Sequence, residues 1–164
     1  MSAIQSFAKE LEAESKTTRK MFERVPDEKF SWKPHEKSMT LSQLVTHIAE
    51  LPTWLKMILD TEELDFAKSR YKPALLTGRT ALLEFFEQSL VVGKTALDEA
   101  SPSQLGENWS MRNGAQVFFT RPKEEMIRSV FCQVVHHRAQ LGVYLRLLDI
   151  PIPGSYGPSA DEQG

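Results

Sequence analysis

Apolar residues recur at three- and four-residue intervals in four long stretches of the chain, and no segment between them reads as a strand. From Ser2 to Val25, Phe7, Leu11, Met21, Phe22 and Val25 form a sparse apolar face, which Pro26 and Asp27 bring to an end. A second helix opens at Thr40 with Gln43, a capping box in which side chains satisfy main-chain amides that the first turn leaves unpaired. Its stripe is Leu41, Leu44, Val45, Ile48, Leu51, Leu55 and Ile58. Pro52 interrupts that stripe, removing one hydrogen bond and crowding the carbonyl of Ile48, so a kink or break is expected. Thr77 is placed to cap a third helix, about Gly78 to Ala100, on Leu82, Phe85, Phe86, Leu90 and Leu97. A fourth, capped at Thr120 with Pro122 in its first turn, runs to about Asp149 on Ile127, Val130, Val134, Leu141, Tyr144, Leu145 and Leu148. Glu124 and Glu125 complement its positive end.

The expected fold is therefore an all-α four-helix bundle. The connections over 60–76 and 101–119 are long for an up-and-down bundle, which predicts long crossover connections. The stretch Gln104–Phe119, with Gly106, Asn108, Trp109 and Gly114, reads as a structured loop. One domain accounts for residues 1–164, with the core at about 2–150. The tail 151–164 is too rich in Pro and Gly for a helix, and its end from Asp161 is expected to fray.

Composition narrows the chemistry. Twenty Lys and Arg against 22 Asp and Glu give a net charge of -2, without the positive excess of a nucleic-acid binder. No run approaches the roughly 18 apolar residues of a membrane span, and no secretory signal is visible, so a cytoplasmic location is expected. A single cysteine, Cys132, excludes an internal disulfide and thiolate-based zinc modules. Metal chemistry, if present, must come from the four histidines, carboxylates or amides.

His137 lies on the apolar stripe of the fourth helix, and Gln133, one turn earlier, is about 40° around the axis. His136 points to the flank. On the second helix His47 sits at the edge of the stripe, with Glu50 following three residues on. Histidines at such edges are more often hydrogen-bonded core residues than ligands, so spacing alone leaves both readings open. Sharper motifs are absent: the paired Glu-x-x-His of di-iron bundles, the His-Glu-x-x-His of metalloproteases and clustered phosphate-loop glycines. Arg138 and Arg146, eight apart, share a face that reads as a solvated flank before it reads as a receptor for an anion. Cys132 reads as an inert outer thiol.

Three segments together, Phe30-Ser-Trp-Lys-Pro, Ser38 to Ala49 around His47, and Val135-His-His137-Arg-Ala-Gln140 with the apolar run after it, resemble the DinB-like family. The resemblance covers roughly residues 5 to 160. It implies a bundle holding a divalent metal, zinc or nickel, by three histidines. His47 matches the first position and His137 the third; the second position is Gln133, with His136 as the alternative third ligand. It further implies a metal-dependent thiol S-transferase or a hydrolase, with a small-molecule substrate and a low-molecular-weight thiol as co-substrate. Glu50, which by itself reads as a solvated helix charge, is the candidate proton acceptor for such a reaction. A homodimer is implied too, because members pair through bundle faces. The rival expectation is a non-catalytic, stress-related binding module with a degenerate metal pocket, which Gln133 favours.

Overall fold

The computed structural model describes residues 2–69 and 72–162, so Arg70 and Tyr71 in the first long connection and the last two residues of the tail lie outside it. Four helices, α1 (Ala3–Phe22), α2 (Leu41–Asp60), α3 (Arg79–Glu99) and α4 (Lys123–Leu147), make the bundle. The fold is mostly helical but not all-α. Strands β1 (Glu63–Asp65), β2 (Asn108–Asn113) and β3 (Gln116–Pro122) form a sheet in the order β1-β2-β3, with β1 parallel to β2 and β2 antiparallel to β3. The two long connections are long because each contributes to this sheet.

The segment read as a loop is thus a hairpin. Its turn joins Asn113 to Gln116, and Gly114, at φ 58°, occupies the first central position, which a two-residue turn of opposite hand reserves for glycine. Trp109 points into the core, fully buried, with its Nε1 donating to Thr61 Oγ1 at 3.0 Å. Lys123, also buried, donates to the carbonyl of Leu59 and to Glu107, tying the end of the hairpin to the end of α2.

Helix boundaries follow local hydrogen bonding. Ser2 and Gln5 form a capping box on α1, as Thr40 and Gln43 do on α2. Pro52 does not break α2, which runs through it to Asp60; packing on both sides outweighs one lost hydrogen bond. Thr77 does not cap α3. The N-cap is Gly78, and Asp27 reaches across to accept from the Arg79 amide at 2.6 Å. Thr120 likewise belongs to β3, where its hydroxyl pairs with that of Ser110 at 2.8 Å, and Pro122 is the N-cap of α4. At the other end Asp149 takes φ 57° and the chain turns away.

The tail is irregular but bound. Asp161 accepts from the Ile152 amide and pairs with Arg146, and Glu162 accepts from the Gly154 amide, so neither frays as expected. Among the described residues no helix is long and apolar enough to cross a membrane.

Two apolar clusters fill the bundle. One joins Leu51, Leu55 and Ile58 of α2 to Ile127, Val130 and Phe131 of α4 and to Trp109. The other joins Leu41, Leu44 and Ile48 to Leu82, Phe86, Leu141 and Leu145. Between them, in sequence order on every helix, fall buried polar residues: Glu14 and Thr18, Glu50, Ser89, then His137 and Arg138. Burying polar groups is unfavourable unless they are paired, so this waist is where side-chain hydrogen bonding must be accounted for.

Candidate functional site

The waist brings His47 of α2 and His137 of α4 together. Their ring centroids are 4.8 Å apart and the planes nearly perpendicular at 79°. His137 is buried and the His47 side chain is 25% exposed, so the pair sits at the edge of the core rather than inside it. Trp54 lies edge-on to His47 at 6.1 Å.

Each imidazole is held by an oxygen three residues further along its own helix. His47 Nδ1 is 2.9 Å from Glu50 Oε1, and His137 Nδ1 is 2.8 Å from Gln140 Oε1. A carboxylate or amide oxygen can only accept, so both Nδ1 atoms carry the proton. In the neutral ring the lone pair then resides on Nε2. Burial holds the His137 pKa below the ordinary histidine value; the neighbouring His47 and His136 push the same way, against the Gln140 hydrogen bond. His137 is accordingly neutral at neutral pH, the form a metal ligand requires.

Glu50, weighed from sequence as a solvated charge or a base, is buried against His47. His136 is exposed, with its ring 4.8 Å from that of His137 on the flank. Gln133 is exposed at the mouth of a cavity of ≈ 340 Å³ that His47 also lines. Leu51, Trp54, Met126 and Val130 form the helical wall of this cavity, and Met111, Phe119 and Arg121 reach in from the sheet. Among the described residues no three His, Cys, Asp or Glu side chains are grouped to hold a metal. The donor set is therefore two imidazoles with oriented lone pairs, the usual arrangement of outer oxygen acceptors behind ligating histidines. Two imidazoles are fewer than the three protein donors usual for such a site, and the neutral amide of Gln133 lies on the cavity that His47 lines.

Elsewhere the flank reading of Arg138 is corrected. Arg138 is buried and ion-paired with Glu14 at 2.6 Å, and also donates to the Glu14 carbonyl, Thr18 Oγ1 and the Tyr156 hydroxyl. Cys132 is exposed, as expected. Sequence reasoning did not assign Gln140, Trp54 or Arg121 to the site. Gln140 had a legible signal, because His47-Ile-Ala-Glu50 and His137-Arg-Ala-Gln140 place an oxygen acceptor at the same offset. Met111, Phe119 and Arg121 could not be assigned to the site, since the sheet that carries them was not expected.

The DinB family profile matches residues 1–163. A DinB-like protein from Bacillus subtilis is similar in structure, with TM-score 0.70 and 15% identity over 97% of this chain and 99% of that one. One from Bacillus cereus ATCC 10987 gives TM-score 0.70 and 20% identity, covering 93% and 97%. The mycothiol-dependent maleylpyruvate isomerase is more distant, at TM-score 0.59 and 14% identity, covering 87% of this chain and 63% of that one. No curated protein sequence shows significant similarity to the chain.

Proposed function

The chain belongs to the DinB family, and from that premise we propose that it is a metal-dependent thiol S-transferase, with a zinc or nickel ion held by His47, His137 and Gln133. The observation that carries this reading is the matched pair of imidazoles, each with Nδ1 committed to an oxygen and a lone pair left on Nε2. When bound, a divalent ion supplies Lewis acidity that favours the thiolate of an incoming small thiol at neutral pH. The chain's own groups do the rest. Glu50 and Gln140 hold the Nδ1 protons and so fix the orientation of both rings. Burial keeps His137 neutral. Glu50 acts on the site through His47, whose Nδ1 proton it holds; the thiol proton leaves to solvent at the exposed Gln133 side, and the apolar cavity wall shields an electrophile bound beside His47. The sulfur comes with the substrate, so exposed Cys132 has no part. The name of the mycothiol-dependent isomerase supports a thiol co-substrate at the level of a distant relative.

Metal content tests the first half. Protein prepared without a histidine tag, refilled with zinc or nickel and dialysed, retains one ion per chain, and His47→Ala and His137→Ala both lose it. Absence of stoichiometric metal in the wild type ends the metalloenzyme reading. Metal-dependent consumption of a small thiol with an electrophile tests the second half; turnover with water alone would instead identify a hydrolase.

A non-catalytic binding module is the second reading, and Gln133 favours it, because an amide oxygen is a weak neutral ligand where an imidazole would bind tightly. Gln133→His tightens metal binding if the position is a ligand. No turnover across a thiol panel leaves the binding module.

A further inference from the structure

The cavity beside His47 is apolar over most of its wall, with one permanently charged cation, the exposed Arg121, at its rim. Arg121, on β3, enters it from the sheet side. Its guanidinium lies over the Phe119 ring, with Cζ 5.3 Å from the ring centroid, a cation–π contact that steadies a long side chain at the cavity. Among the described residues lining the cavity none is acidic.

Arg121 differs from most arginines of this chain. Arg19, Arg112, Arg128, Arg138 and Arg146 are each ion-paired with a carboxylate. Among the described residues no carboxylate lies within ion-pair distance of Arg121. Glu124 and Glu125, at the start of α4, share with it a separate shallow depression and leave it unpaired. A guanidinium with free donors, braced by an aromatic ring at the edge of an apolar cavity, is a receptor for a planar anion.

We propose that Arg121 is the specificity-determining residue of this cavity and selects a small organic carboxylate. The apolar body of such a molecule packs against Trp54, Met111, Phe119 and Met126, and its carboxylate takes the guanidinium. The volume of ≈ 340 Å³ is at the small end for ligand pockets, about 300–1,000 Å³, which restricts the ligand to one of modest size. The inference rests on this cavity being the substrate site of the proposed transferase. The carboxylate belongs either to the electrophile or to the thiol.

Binding tests it without metal or turnover. The full chain, in the presence of a chelator, is titrated with naphthalene-2-carboxylate and with the isosteric neutral naphthalene-2-carboxamide, followed by calorimetry and by tryptophan fluorescence. The wild type is expected to prefer the carboxylate by roughly five- to twentyfold, as for a charge-assisted hydrogen bond. R121Q abolishes the preference while still binding the carboxamide, and R121K retains part of it; both keep the wild-type circular dichroism. Trp54→Phe removes the fluorescence response but not the preference. An equal preference in R121Q, no preference in the wild type, or binding of neither probe at millimolar concentration overturns the proposal. Loss of the metal or thiol reading leaves these outcomes unaffected. With turnover in hand, converting the electrophile's carboxylate to its amide in one arm and the thiol's carboxylate to its ester in the other, with the sulfhydryl left free, identifies which co-substrate carries the carboxylate; R121Q erases the discrimination in that arm alone.

Discussion

His47 and Glu50, three residues apart on α2, share a 2.9 Å hydrogen bond that decides which nitrogen of the imidazole keeps its lone pair. The carboxylate is buried, and its contact with the ring is set by the helix rather than by a loop. Glu50→Gln keeps an oxygen in reach but removes the charge that anchors the Nδ1 proton and raises ligand basicity. We expect this variant to fold normally and to bind zinc or nickel about 10- to 100-fold more weakly. Competition against a chromophoric chelator measures it, and unchanged affinity would remove Glu50 from the site.

Across the waist, the ion pair between Arg138 and Glu14 has almost no solvent to screen it, with side-chain exposures of 4% and 11%. Removing one partner leaves an uncompensated charge in the interior. Arg138→Met is expected to lower the unfolding free energy by about 3–5 kcal/mol, whereas Glu14→Gln combined with Arg138→Met recovers much of that loss. Urea denaturation of the double variant and of both single variants, Arg138→Met and Glu14→Gln, against wild type closes the cycle. An additive double variant would show that the two residues are energetically independent.

The contrast between these two sites shows what the sequence could carry. The meeting of His47 and His137 was legible because helical periodicity puts His137 on a buried stripe and His47 at the edge of another, and because the motif around each lies in one stretch of chain. The burial of Arg138 was not, since its partner Glu14 lies on another helix and no local pattern announces the pairing. The sheet was missed for a different reason. β1 has only three residues, and β3 exposes most of its side chains, so neither shows the alternation that a half-buried strand displays. The local signal was Gly114 as a turn glycine three residues before the β-rich run Val117, Phe118 and Phe119. Without the hairpin, Arg121 could not be placed beside the site at all.

The hairpin is also where acid should act. Asp65 Oδ1 accepts from the Gly114 amide at 2.8 Å and from the Ala67 amide at 3.0 Å, fastening β1 to the turn. These bonds, that to Gly114 first, with Lys68 nearby, hold the carboxyl below the usual aspartate range. A pKa lower in the folded than in the unfolded chain means that the contribution is complete above the unfolded value and is lost as pH falls through the folded one. Asp65→Asn is therefore expected to be less stable at neutral pH, and its stability should decline less steeply between about pH 5 and pH 3. Urea midpoints across a pH series measure the slope, and parallel profiles for wild type and variant would refute the assignment.

Gly93 sets the separation of α3 from α2 at the point where Pro52 sits within α2. A Cβ at position 93 would lie 2.5 Å from the Pro52 carbonyl oxygen and 3.3 Å from Leu55 Cδ1. The first contact is to backbone and cannot be relieved by turning a side chain, so the helices must move apart. Alanine is the better helix former, by about 1 kcal/mol in an exposed helix. Here the overpacking term, typically about 1–3 kcal/mol, opposes and exceeds it. Gly93→Ala should therefore destabilise the bundle despite the gain in helix propensity. Because Leu51 and Trp54 flank Pro52 on α2 and line the cavity, the displacement should also weaken naphthalene-2-carboxamide binding, which depends on the apolar wall alone. A variant as stable as wild type in urea, with undiminished probe affinity, would show that the close approach can relax without consequence.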